Sequence, residues 1–136
     1  MKFELTPEKK QELEKLAREN NLSLVLLFGS QATGKTHSQS DVDFAFRSEE
    51  KMSPMDEARL QLEFSKALKF KNVEIVNLRN AGPVLLRQIV QKSSLIFEKE
   101  PAGYARFKIY AHKLFMESKK LLEMRNLSLD KFLQKA

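Results

Sequence analysis

The sequence predicts an α/β (α+β) domain in which helices pack on a small mixed sheet. Three observations predict it. Short continuous apolar runs bounded by turn residues, of which Leu22–Phe28 is the clearest, read as buried strands. Between them lie longer stretches opened by capping residues and prolines, which read as helices. From about Ala102 the apolar residues recur at three- and four-residue steps, the mark of one long amphipathic helix. The order is α-β-α-β-α-β-α-β-α.

The first helix is capped by Thr6 and carries Pro7 at its first position. Leu13, Leu16 and Ala17 share one face, and the Asn20-Asn21 pair ends it. Leu22–Phe28 follows as a strand and breaks at Gly29-Ser30. A short helix or loop covers Gln31 to about Lys35, and Asp41–Arg47 is the second strand. Ser53 then caps a helix running to about Leu68, with Asp56 placed to reach back in a box-like arrangement. Asn72–Leu78 is the third strand. Pro83 opens a helix bearing Leu85, Leu86, Ile89 and Val90, and Leu95–Glu98 is a short fourth strand. The last helix, about 102–125, places Tyr104, Phe107, Ala111, Leu114, Ser118 and Leu121 along one stripe, which reads as core.

A chain of 136 residues with no internal repeat fits a single domain, 1–136. The absence of cysteine excludes disulfides and thiolate metal sites and suits a reducing compartment. No apolar run has the length of a signal peptide core or a membrane span, so the expected location is cytoplasmic. Charge is uneven: residues 1–68 hold 10 Lys/Arg against 12 Asp/Glu, and residues 69–136 hold 14 against 6, or −2 and +8. The basic half suggests an anionic partner or a lysine-rich solubilising surface. The lysines are scattered without interleaved aromatics, so direct nucleic-acid binding is not expected.

Chemistry concentrates in Phe28-Gly29-Ser30 and in Ser40-Asp41-Val42-Asp43-Phe44-Ala45-Phe46. Alternation along a strand puts Asp41 and Asp43 on one face and Val42, Phe44 and Phe46 on the other. Two neighbouring carboxylates repel unless a cation lies between them. Such hard oxygen ligands favour Mg²⁺, which usually combines one or two carboxylates with water and substrate phosphates. Gly29 lets the backbone approach a ligand closely, and local N–H groups with the Ser30 hydroxyl can donate to phosphate. Alone, an Asp-x-Asp or a Gly-Ser is a common surface feature. Together, at this spacing, they are the equipment of phosphoryl or nucleotidyl transfer.

Gly29-Ser30, ten residues, then Asp41-Val42-Asp43 resembles the signature of the DNA polymerase β-like nucleotidyltransferase superfamily. The wider stretch, LFGSQATGKTHSQSDVDFAF followed by VEIVNLRNAGPVLLRQIV, is similar to the minimal nucleotidyltransferase (MNT) group. The motif core spans 22–98. The resemblance implies a nucleotidyltransferase palm and AMP transfer from ATP. It implies that Gly29 and Ser30 contact the triphosphate and that Asp41 and Asp43 bridge two Mg²⁺. A third carboxylate on the next strand binds the catalytic metal and helps activate the acceptor hydroxyl, and the matching position is Glu74. The group usually has Asp there, so Glu74 is a departure. Another acid often follows three residues later, where this chain has Asn77. Glutamate still ligates Mg²⁺, and its extra methylene bears on turnover.

The same resemblance implies an antitoxin of a HEPN/MNT pair, adding AMP to a tyrosine of a HEPN toxin ribonuclease within a hetero-oligomer. The alternatives are an antitoxin that only binds its partner, and a stand-alone transferase for a small molecule. Lys35, His37 and Arg47 read as exposed residues for which a phosphate contact is the rarer role. Arg79 and Arg87 face a substrate or partner, or supply surface charge. Arg106 and His112 match the Arg-x₅-His spacing of HEPN ribonucleases, but within a helical apolar context this reads as chance.

Overall fold

The computed structural model describes residues 4–29 and 42–135. Helix α1 (Pro7–Glu19) is capped by Thr6, whose hydroxyl accepts from the Lys9 N–H at 3.2 Å. Strand β1 (Leu22–Phe28) follows, then β2 (Val42–Ser48), helix α2 (Pro54–Leu68) and β3 (Val73–Asn77). A 3₁₀ turn, Leu78–Asn80, leads to α3 (Pro83–Gln91), β4 (Ser93–Glu98) and α4 (Gly103–Lys135).

The strands form one mixed sheet in the order β3-β2-β1-β4. β1 runs antiparallel to both β2 and β4, whereas β2 and β3 are parallel. Parallel neighbours need a crossover, and α2 supplies it. Each face of the sheet is covered. On one, Leu13 and Ala17 of α1 and Leu60, Phe64 and Leu68 of α2 pack on Val25, Leu27, Val42, Phe44 and Phe46. Phe44 and Phe64 meet edge to face, with centroids 5.6 Å apart. On the other, Leu86 and Ile89 of α3 and Phe107 and Ala111 of α4 pack on Leu24, Leu26 and Ala45. Burial on both faces explains why β1 is continuously apolar from Leu24 to Phe28 rather than alternating.

The expected elements recur with shifted ends. β4 begins at Ser93, two residues before the sequence signal, because Ser93 and Ser94 pair with Phe28 and Leu27. The Ser93 hydroxyl also meets the Tyr104 hydroxyl at 2.6 Å. Asn77 ends β3, and its side-chain oxygen caps the 3₁₀ turn by accepting from the Arg79 N–H at 3.0 Å. At α2 only the hydroxyl half of the capping box forms, Asp56 N–H to Ser53 at 3.2 Å, and the Asp56 carboxylate turns toward Arg59 at 3.9 Å. The last helix runs to Lys135 rather than about 125, since no glycine or proline interrupts it. Leu121, expected on the core stripe, is exposed, because the packed part of that helix ends before it. The expected helix or loop at 31–35 lies outside the described residues.

No helix of the described residues is long and apolar enough to cross a membrane.

Candidate active site

The start of β2 places the site. Val42, Phe44 and Phe46 are fully buried in the first core cluster, as their alternation requires. Asp43 therefore points to the opposite face, the side of Ala45 and the second cluster. Its register neighbours are Phe28 on β1 and Glu74 on β3. In-register residues on adjacent strands project from the same side, so Asp43 and Glu74 stand next to each other there. Asp43 is half-buried and Glu74 exposed. A backbone bond from the Val42 N–H to the Asn72 carbonyl, 2.7 Å, closes the two strands beside them.

Gly29, at the end of β1, has φ +81°, a conformation that costs an L side chain strain. A Cβ at this position would lie 3.1 Å from Asp43 Oδ2. The glycine thus serves two needs: a left-handed turn and a place for the carboxylate to lie over bare backbone. Its own N–H is already committed, donating to the Lys92 carbonyl at 3.2 Å. The expectation that local N–H groups are offered to phosphate therefore does not hold at Gly29, whose contribution is the absence of a side chain. This bond also brings the end of α3 next to Gly29, which the sequence pattern did not signal.

An oxygen pair of this kind suits a hard ion such as Mg²⁺. Among the described residues no cluster of three or more metal-ligating side chains comes together. Asp43 and Glu74 supply two acids, while Asp41 and Ser30 lie outside the described residues, as do Lys35 and His37.

Other candidates resolve into structural parts. The Arg79 guanidinium donates to the Ser48 carbonyl at 2.7 Å and the Glu49 carbonyl at 2.8 Å, bolting the far end of β2. Arg87 lies 4.0 Å over the Phe115 ring, joining α3 to α4. Buried Asn77 donates to Glu57 at 2.9 Å, so the place where relatives often carry another acid is a packing position here. Arg47 is four residues along β2 from Asp43, roughly 13 Å away at the rise of a strand. It lines a cleft of about 560 Å³ at that far end, together with Arg79, Lys99, Arg106 and Tyr110. Arg106 pairs with Glu100 at 3.2 Å, and His112 is an exposed helix residue.

Comparison with known proteins gives a consistent result. The family described as Polymerase beta, Nucleotidyltransferase matches residues 11–102. Protein adenylyltransferase MntA of Shewanella oneidensis is 33% identical over 85 residues, 61% of this chain and 60% of that protein. The matched part is thus less than two thirds of the relative's length. A crystal structure of a toxin–antitoxin with AMP-PNP superimposes with a TM-score of 0.72 at 25% identity, over 91% of this chain and 98% of that one. A structure of tri-AMPylated Shewanella oneidensis HEPN toxin in complex with MNT antitoxin gives 0.66 at 23% identity, over 92% and 96%. At that identity the likeness is one of fold.

Proposed function

The chain belongs to the polymerase beta nucleotidyltransferase family, and from that premise we propose that it transfers AMP from ATP to a hydroxyl of a protein, acting as an antitoxin. The acceptor in this reading is a tyrosine of a HEPN-type toxin ribonuclease. The likeness to an adenylyltransferase and to a toxin–antitoxin structure holding an ATP analogue supports it. The observation that carries it is the register Phe28–Asp43–Glu74 with the Asp43 carboxylate against positive-φ Gly29.

The reaction is an in-line displacement. The acceptor oxygen forms a bond to the α-phosphorus, the bond to the leaving pyrophosphate breaks, and the hydroxyl proton departs. Asp41, Asp43 and Glu74 would hold Mg²⁺, which supplies charge neutralisation on the phosphates and a lowered acceptor pKa. Asp43 fixes one side of the site from an inner strand. Glu74, exposed one strand over, would bind the metal and help activate the acceptor hydroxyl. Gly29 leaves room for the triphosphate to approach, and Ser30 donates to it. The domain reading is 1–136 as one unit.

Incubation with α-labelled ATP, Mg²⁺ and a HEPN-type protein encoded beside this chain is expected to label that protein, and chelation is expected to stop it. A tight complex that never acquires label would replace this reading with a binding-only antitoxin. The longer, exposed Glu74 favours that second reading.

A further inference from the structure

Helix α4 changes surroundings halfway along. Tyr104, Phe107, Ala111 and Leu114 pack it on the second core cluster, whereas every residue from Lys119 to Gln134 is exposed. The apolar pattern does not stop where the packing stops. At 100° per residue, Leu121, Leu122, Leu129, Phe132 and Leu133 lie within roughly 70° of the line through Phe107, Ala111 and Leu114. Their exposures run from 47% to 71%. Five large apolar side chains this exposed along one line of a helix are a place for a partner to pack.

One charge sits in its middle. Arg125 follows Leu121 and Leu122 by one turn and precedes Leu129 by another. Its helix neighbours at three and four residues are Leu121, Leu122, Ser128 and Leu129, so α4 offers it no carboxylate. A guanidinium within an apolar strip disfavours a plain hydrocarbon partner and favours a seam that carries an acid.

This feature argues against a second copy as the occupant. Parallel two-fold pairing sets Arg125 against Arg125, and antiparallel pairing centred on the exposed segment brings the two within about one turn. Neither presents an acid from the stripe. Size argues the same way. Sixteen exposed residues (119–134) make a strip roughly 24 Å long and 10 Å wide, well short of the ~800 Å² per side of a standard interface. The ridge suits a partner that is also held elsewhere on this chain.

We infer that the Leu121–Leu133 ridge docks an apolar helical seam of the partner protein, with a carboxylate of that seam against Arg125. The inference rests on the reading that the acceptor is a protein. The partner is then held at two points, the ridge and the acceptor hydroxyl at Asp43 and Glu74, and the ridge raises the local concentration of the acceptor.

The test uses the full chain and a HEPN-type protein encoded beside it, with complex formation followed by titration and light scattering. The Leu122→Lys/Leu129→Lys variant, both sites exposed, is expected to keep the wild-type melting temperature and ATP binding while losing at least tenfold in partner affinity. Arg125→Glu is expected to match that loss, with Arg125→Lys close to wild type. Wild-type affinity in Leu122→Lys/Leu129→Lys overturns the ridge and leaves the transferase reading intact. A wild-type chain that dimerises alone, and becomes monomeric in that variant, overturns it in favour of a second copy. A ridge-dependent complex without label transfer supports the ridge and sinks the catalytic reading instead.

Discussion

The two ends of β2 carry charged groups put to opposite uses. At its start, Asp43 and Glu74 stand side by side with like charge, one of them against a glycine that leaves a gap in the side-chain layer. At its end, Arg79 donates to the Ser48 and Glu49 carbonyls, and Lys99 pairs with Glu49. The far end is a set of complementary groups that satisfy one another. The near end brings two acids together on adjacent strands, an oxygen pair of the kind that suits a bound cation. On the proposed function, the same strand separates stability from chemistry along its length.

That separation predicts different responses at the two ends. Asp43→Asn should lower AMP transfer roughly a thousandfold, the several kcal/mol that a metal ligand supplies, with folding stability within about 1 kcal/mol. A large drop in melting temperature at intact activity would break the comparison. Gly29→Ala should act on both properties: its φ costs about 1–2 kcal/mol in stability, and the 3.1 Å approach to Asp43 Oδ2 displaces the carboxylate. Transfer is expected to fall about a hundredfold, as it does for misplacements of around 1 Å.

Arg79→Ala should do the reverse, losing about 1.5–3 kcal/mol in a denaturant titration through its hydrogen bonds while activity per folded molecule stays within twofold. Lost activity without lost stability there would place Arg79 at the substrate. The smallest effect is expected at Glu74. Glu74→Asp should raise transfer by a few-fold, because the shorter acid restores the length usual at this position, while a steady-state rate equal to wild type would mean that the extra methylene is accommodated.

Much of this was legible in the sequence for a simple reason: local patterns report local causes. Thr6, Pro7, Ser53 and Pro83 set helix starts, and continuous apolar runs marked strands buried on both faces. Asp43 and Gly29 were legible because the spacing of a strand, a turn and an acid-bearing strand is itself the signal. Their adjacency is a structural fact, while the roles of Asp43 and Gly29 at the site, like those of Asp41, Ser30 and Glu74, remain proposals. What sequence reading left open depends on tertiary neighbours. Arg79 became a bolt because β2 ends beneath it, and Arg87 a clasp because Phe115 lies across from it. Gly29's N–H was lost to phosphate because Lys92 arrives from 63 residues downstream. Ser93 and Ser94 have no strand propensity to announce them, and pairing with β1 recruits them.

The sheet order has a kinetic consequence. β2 lies between β1 and β3, so the backbone around Asp43 is hydrogen-bonded to a neighbour on each side. An edge strand can fray by opening one ladder, but this one opens only when two are broken together. Amide hydrogens of Phe44 and Ala45 should thus exchange with solvent only through the slowest, most global openings, and those of β4 sooner. The backbone that carries Asp43 is thus held in place for as long as the protein stays folded.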